Sequence, residues 1–115
     1  VPFSKARVAE LRAQGRGVFI DFTATWCITC QVNKRIALNK AEVQKRFEEL
    51  NVVRMKADWT IKDPAITEAL AEFGRNGVPL YVYYPAGGEP KLLPEVLTTS
   101  ILLDSLALSA AIAAK

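Results

Sequence analysis

Two cysteines three residues apart, Cys27 and Cys30, follow directly on the apolar stretch Val18-Phe19-Ile20-Asp21-Phe22. A Cys-x-x-Cys pair at the point where a buried strand turns into a helix places both sulfurs on one helical turn. That is the arrangement for reversible dithiol chemistry. With Cys27 at the helix N-terminus, unpaired backbone N–H groups and the helix dipole favour a thiolate there. Its pKa is then expected to fall from about 8.5 toward about 7 or lower. Cys30, one turn later, is placed to attack a mixed disulfide and release the substrate. The spacing thus predicts Cys27 as nucleophile and Cys30 as resolving thiol.

Three other uses of the pair compete with this one. A structural disulfide would close so small a loop that it removes little unfolded-state entropy. Half of a zinc site would need two further ligands, yet the chain has no other cysteine and no histidine. Two inert core cysteines remain an alternative, opposed by Trp26 immediately before Cys27 and by the preceding strand. The lack of histidine also removes His general bases and His-activated nucleophiles. The chemistry must come from cysteine, carboxylates, lysines and backbone, with no cofactor beyond the cysteine pair.

With 115 residues, half of them hydrophobic, the chain is expected to form one domain, residues 1–115, with a core of its own. The net charge of +3 is mild, and Lys and Arg are scattered among Asp and Glu. That pattern points to a solvated surface rather than a nucleic-acid or membrane patch. No apolar run reaches the ~18 residues that a bilayer crossing needs. The chain opens at Val1 with neither an initiator Met nor a signal segment, which predicts a processed chain or an excised domain.

Periodicity and turn signals predict helices over 5–14, 31–38, 40–50, from Asp63-Pro64 to Gly74, and over 100–114. Ser4, Asn39, Asp63 and either Thr98 or Thr99 are the expected caps, with Pro64 at a first helical position. Val32 and Ile36, four apart, are the expected buried face of the helix after the cysteines. Strands are predicted over 18–23, 52–57, 78–84 and 91–93, the last two joined by the turn Pro85 to Pro90. The order α-β-α-β-α-β-β-α implies an α/β fold with a central mixed sheet of about four strands flanked by helices.

Two residues outside the cysteine turn carry information. Asp21 lies within an apolar strand, six residues before Cys27, where a carboxylate is costly to bury. Either it occupies an edge or exposed position, or it is a buried acid with a raised pKa that relays a proton to or from Cys30. Val78-Pro79 opens the third strand after Gly77. A cis bond there would set the Val78 backbone beside Cys27, ready to offer N–H and C=O groups to an incoming peptide. An ordinary trans proline at a first strand position is the alternative.

A strand carrying Asp21, then Trp26-Cys27-Ile28-Thr29-Cys30 opening a helix, then Val78-Pro79 before the third strand, resembles the thioredoxin superfamily over nearly the whole chain. Phe22 to Asn33, Ala57-Asp58-Trp59-Thr60 with Asp63-Pro64, and Gly77-Val78-Pro79 are similar to the C-terminal periplasmic domain of the bacterial thiol:disulfide interchange protein DsbD and its relatives. The resemblance implies a thioredoxin-like fold and a disulfide reductase. In that role it takes electrons from a membrane-embedded domain and passes them to a periplasmic acceptor domain. It also implies Cys27 and Cys30 as the redox pair, Asp21 as the buried acid and Pro79 as the cis proline; the residues themselves suggest Trp26 and Val78 beside them as a binding surface. The periplasmic side of the bacterial inner membrane is the implied location, and an isolated domain is expected to be monomeric.

The chain departs from its relatives at Lys34, four positions past Cys30, where some of them carry an acid. A lysine there either favours thiolate or is simply solvated. Ile28-Thr29 between the cysteines carries no charge to stabilise a thiolate, which predicts a reducing rather than an oxidising protein. The rival uses are a free-standing periplasmic reductase and a non-catalytic module that holds peptides against Trp26 and the Pro79 loop.

Overall fold

The structure is a computed structural model and describes residues 1–113. Its central strand is β1 (Val18–Thr23), which pairs in parallel with β2 (Val53–Asp58) and antiparallel with β3 (Leu80–Tyr84). Strand β4 (Lys91–Leu93) adds antiparallel to β3, so the sheet runs β2-β1-β3-β4. The helices are α1 (Lys5–Ala13), α2 (Ile28–Asn33), α3 (Ala41–Glu49), α4 (Pro64–Glu72) and α5 (Thr99–Ala113). A π-helical turn, Lys34–Leu38, continues α2. This is the expected α/β architecture.

Alternation along β1 sends its side chains into two separate layers. Val18, Ile20 and Phe22 join Val8 and Leu11 of α1 and Leu70 of α4 in one apolar cluster. Phe19 enters the other, with Leu38 of the π turn, Val43 and Phe47 of α3, Tyr81 and Tyr83 of β3, and Leu102 of α5. Phe19 meets Phe47 edge-on and stacks with Tyr81, with ring centroids 5.2 and 6.2 Å apart. Each fully buried side chain of this size contributes about 1.5–3 kcal/mol, so β1 is clamped from both faces. Asp21 and Thr23 share the Phe19 face, the side on which α2 and the π turn pack.

Several boundaries differ from the sequence-based expectation. The redox helix begins at Ile28 with Cys27 as its N-cap, as the cysteine spacing predicted, and gives way to the π turn at Lys34 rather than running as one helix to Leu38. Its buried face is Cys30, Asn33 and Ala37, while Ile36 is exposed and Val32 half-buried. The polar side chain of Asn33 can be buried because all its hydrogen-bonding groups are used, as shown below. Lys40, not Asn39, precedes α3 and makes no side-chain cap. Strand β3 starts at Leu80, leaving Gly77 to Pro79 in the loop before it, and β2 is one residue later than expected. Helix α5 starts at Thr99, with the Thr98 hydroxyl accepting from the Ile101 amide at 3.1 Å; Ala114 of the expected last helix lies outside the described residues.

Ser4 and Asp63 cap as expected. The Ser4 hydroxyl accepts from the Arg7 amide at 3.3 Å, and the Asp63 carboxylate accepts from the amides of Ala65 and Ile66. The first residues run beside β2, where the Phe3 amide donates to the Lys56 carbonyl and the Lys56 amide to the Val1 carbonyl. Among the described residues, no helix is long and apolar enough to cross a membrane.

Candidate redox site at the end of the central strand

Strand β1 ends at Thr23, and the chain turns through Ala24-Thr25-Trp26 into α2. The Ala24 carbonyl accepts from the Cys27 amide at 3.2 Å and from the Gln31 side-chain amide at 3.0 Å. Cys27 is the N-cap of α2, with extended backbone, and its Sγ accepts from the Cys30 amide at 3.2 Å. The two cysteines form a disulfide. Cys27 keeps 7% of its surface exposed against 1% for Cys30, so the first cysteine is the more accessible of the two.

Ala24, Cys27 and Cys30 form a small buried cluster, and Val78 packs against it. The Val78–Pro79 peptide bond is cis. The loop before β3 therefore meets the cysteine turn through Val78, and its Val78–Pro79 bond is the cis one of the two forms the sequence left open.

Trp26 is half exposed and is held by the loop that follows β2. Its indole Nε1 donates to the Thr60 carbonyl at 3.0 Å, and the Thr25 amide donates to the Thr60 hydroxyl at 3.0 Å. The Thr60 hydroxyl in turn donates to the Asp58 carboxylate, which also accepts from the Thr60 amide. These bonds hold the Asp58 carboxyl below its usual range. Trp59 packs against Trp26 with centroids 5.9 Å apart, and Lys62 lies over both rings. Ile61 at the tip of this loop and Ile28 at the start of α2 are almost fully exposed.

Asp21 is not at an edge. It stands on the central strand between Lys56 of β2 and Tyr81 of β3 and is half-buried. Burial pushes its carboxyl up to about 6, while Lys34, Arg54 and Lys56, in that order, pull the other way. It lines a cavity with Phe19, Lys34, Asn39, Arg54 and Lys56, and neither cysteine lines that cavity. Asp21 therefore shares a sheet face with the redox helix without joining the disulfide cluster. Lys34 is half-buried and faces this acid, so it is not merely a solvated surface lysine.

Two supporting residues stand in the stretches that carry the family resemblance but had no role assigned from the sequence. Asn33, one turn past Cys30, is fully buried. Its Nδ2 donates to the Tyr81 hydroxyl at 2.8 Å and the Glu95 carbonyl at 2.7 Å, and its Oδ1 accepts from the Leu97 amide at 3.0 Å. It ties the redox helix to β3 and to the segment entering α5. Besides its place at the end of the Phe22 to Asn33 stretch, its sequence signal is the three-residue spacing from Cys30. Thr60, the anchor of the Trp26 loop, has no signal in hydropathy at all.

Residues 2–86 match the thioredoxin-like family. The chain belongs to the thioredoxin-like family. It is 30% identical over 100 residues to the thiol:disulfide interchange protein DsbD of Vibrio cholerae, covering 87% of this chain and 16% of that protein. Identity to DsbD 1 of Pseudomonas aeruginosa is 33% over 84 residues, 73% of this chain and 14% of that protein. The chain thus spans about one sixth of these relatives' length. In fold it is similar to the oxidised C-terminal domain of Neisseria meningitidis DsbD. The TM-score is 0.74 at 21% identity, covering 95% of this chain and 99% of that one. A Thermus thermophilus thioredoxin gives a TM-score of 0.73 at 21% identity, covering 95% and 84%. As a thioredoxin-like domain, the chain carries its disulfide at the end of the central strand, where the helix that follows offers its first amides.

Proposed function

We propose that this chain is a thiol–disulfide oxidoreductase that reduces disulfides in a protein partner by exchange at Cys27 and Cys30. The observation that carries the reading is the Cys27–Cys30 disulfide at the start of α2, with the Cys27 sulfur facing the Cys30 amide. In the reduced protein the same amide stabilises a thiolate on Cys27. That thiolate attacks the partner's disulfide, forms a mixed disulfide and expels one partner thiolate. Cys30 then attacks Cys27 Sγ, restores the intramolecular disulfide and releases the second partner thiolate. Two electrons pass to the partner, and no cofactor beyond the cysteine pair is required.

The likeness to the DsbD proteins of Vibrio cholerae and Pseudomonas aeruginosa supports the finer reading. In it the domain belongs to a membrane protein, faces the periplasm, and relays electrons from a membrane-embedded domain to a periplasmic acceptor domain. Ile28-Thr29 places no charge between the cysteines, which fits an electron donor. Trp26, Val78 and the Pro79 loop form the surface on which the partner's peptide rests beside Cys27.

The test is a Cys30→Ser variant expressed in the native cell envelope. The expected result is a partner trapped through a mixed disulfide to Cys27 and lost in Cys27→Ser. The reading fails if no partner is trapped, and its direction fails if the potential is as positive as about −120 mV.

A further inference from the structure

One buried hydroxyl beside the disulfide is idle in the oxidised fold. Thr23, the last residue of β1, keeps 1% of its surface exposed, and its Oγ1 has no hydrogen-bond partner among the described residues. Its backbone is fixed, since Thr23 pairs with Asp58 of β2 and its carbonyl accepts from the Trp59 amide at 2.7 Å. Alternation along β1 sets its side chain on the face of Phe19 and Asp21, over which the redox helix lies.

The register of that helix on the strand decides what Thr23 meets. Leu38 packs in the cluster of Phe19, and Lys34 lines one cavity with Asp21. From 38 to 34 to 30 the helix steps back by about 6 Å each time. From 19 to 21 to 23 the strand advances by about 6.6 Å each time. The two series run in step, so Cys30 overlies Thr23, and Ala24, the next residue, does pack against Cys30. The buried side chains of α2 are Cys30 and Asn33. Asn33 is committed to Tyr81, Glu95 and Leu97, which leaves the Cys30 sulfur to meet the hydroxyl.

We propose that Thr23 is a further catalytic residue, whose hydroxyl donates to Cys30 Sγ once the disulfide is open and stabilises the Cys30 thiolate that resolves the mixed disulfide. This role rests on the exchange scheme proposed above and supplies its second step with a hydrogen-bond donor. A disulfide sulfur is a weak acceptor, whereas a thiolate draws a charge-assisted hydrogen bond. Burial works against charge on Cys30, and the Cys30 amide already serves Cys27 Sγ. In the resolving step the Cys30 electron pair forms the Cys27–Cys30 bond as the Cys27–partner bond breaks. The proton that Cys30 gives up to solvent is balanced by the one that the departing partner sulfur takes from it. Thr23 keeps its own proton throughout and is idle again when the disulfide closes.

The experiment reads the two sulfurs apart. Reduced wild type, Thr23→Val and Thr23→Ser are each mixed with one equivalent of a small aromatic disulfide in single turnover. Release of the first aryl thiolate reports attack by Cys27, and release of the second reports attack by Cys30. Thr23→Val is expected to slow the second release at pH 7 about tenfold and to leave the first within about twofold. Thr23→Ser, which keeps the hydroxyl, should hold both rates. In a Cys27→Ser background, where Cys30 titrates alone, its Cβ is followed by NMR against pH. The midpoint should rise by about one pH unit in Thr23→Val and stay in place in Thr23→Ser. An unmoved Cys30 midpoint in Thr23→Val overturns the proposal. So does a Thr23→Ser protein that behaves like Thr23→Val, or equal slowing of the two releases. The titration needs no exchange activity, so a chain that reduces no disulfide refutes the function while the Cys30 shift is still read.

Discussion

The amide of Cys30 points at the sulfur of Cys27 across 3.2 Å. In the reduced protein that N–H, together with the N-terminal end of α2, stabilises a negative charge on Cys27 and none on Cys30. The Cys27 thiol is therefore expected to ionise more readily than Cys30. Alkylation rate against pH, read on Cys30→Ser and Cys27→Ser separately, checks the order. Equal midpoints in the two variants would remove the division of roles.

Asp21 couples the fold to pH in an unusual direction for an acid. Its folded-state pKa is raised from 3.8 to about 6 by burial, so the folded chain binds a proton more tightly than the unfolded one between those values. Protonation therefore favours folding. The contribution is fully present below about pH 4 and is lost as pH rises through about 6. Replacing Asp21 by Asn should flatten that slope and make the oxidised protein more stable at pH 7 by about 1–3 kcal/mol. Urea unfolding at pH 4, 5, 6 and 7 reads both effects, and an unchanged slope in the variant counts against a buried acid.

Asn33→Ala should be among the most destabilising changes near the site, although it touches neither cysteine. The variant leaves the Leu97 amide buried without its acceptor and frees the Tyr81 hydroxyl and Glu95 carbonyl. An orphaned buried donor costs about 1–3 kcal/mol, and the vacated volume adds to it. A loss of about 2–4 kcal/mol is expected in denaturant unfolding. Tyr81→Phe, which keeps the other two bonds, should cost less than half as much.

Thr23 points the opposite way. Its hydroxyl is buried and has no hydrogen-bond partner among the described residues. Burying an unpartnered hydroxyl costs about 1–3 kcal/mol, and valine has nearly the same shape. Thr23→Val is expected to raise stability by about 1 kcal/mol, seen as a higher urea midpoint at constant slope. A lower midpoint would mean that the hydroxyl has a partner in solution.

What the sequence showed of this fold, and what it hid, follows from how each feature is encoded. Val18 to Thr23 announces a central strand because an almost unbroken apolar run needs cover on both faces, and Phe19 and Ile20 do enter opposite layers. Ser4 and Asp63-Pro64 are short-range signals, and both caps stand where expected. The redox-helix face was misplaced because hydropathy ranks Val32 and Ile36 above Asn33. Asn33 is buried through three specific hydrogen bonds to residues 48 to 64 positions away, a contingency no local pattern carries. The strand-to-helix turn that carries the Cys27–Cys30 disulfide was legible from the spacing of the two cysteines. The loop that braces it was not, because Thr60 acts through its carbonyl and hydroxyl rather than its hydropathy.

The apolar rim of the site yields the last prediction. Trp26, Ile28 and Ile61 are 51%, 80% and 85% exposed, and Thr60 ties the Thr25-Trp26 turn to the Ile61 loop through one hydrogen bond from the Thr25 amide and one from the Trp26 indole. A small disulfide needs only the Cys27 sulfur, whereas a protein disulfide must also seat its flanking peptide on this rim. Large aromatic anchors in such contacts are often worth 2 kcal/mol or more on truncation. Trp26→Ala, Ile61→Asp and the pair should therefore slow reduction of a protein disulfide by about 10-fold or more, since about 1.4 kcal/mol is a tenfold change. Reduction of a small aromatic disulfide should change by no more than about 2-fold, because the rim adds nothing to that reaction. The loss should fall on kcat/KM through KM, as expected for removed binding contacts. Equal losses on both substrates would instead mean that the variants disturb the Cys27 turn itself, and that Trp26 braces the site rather than receiving the partner.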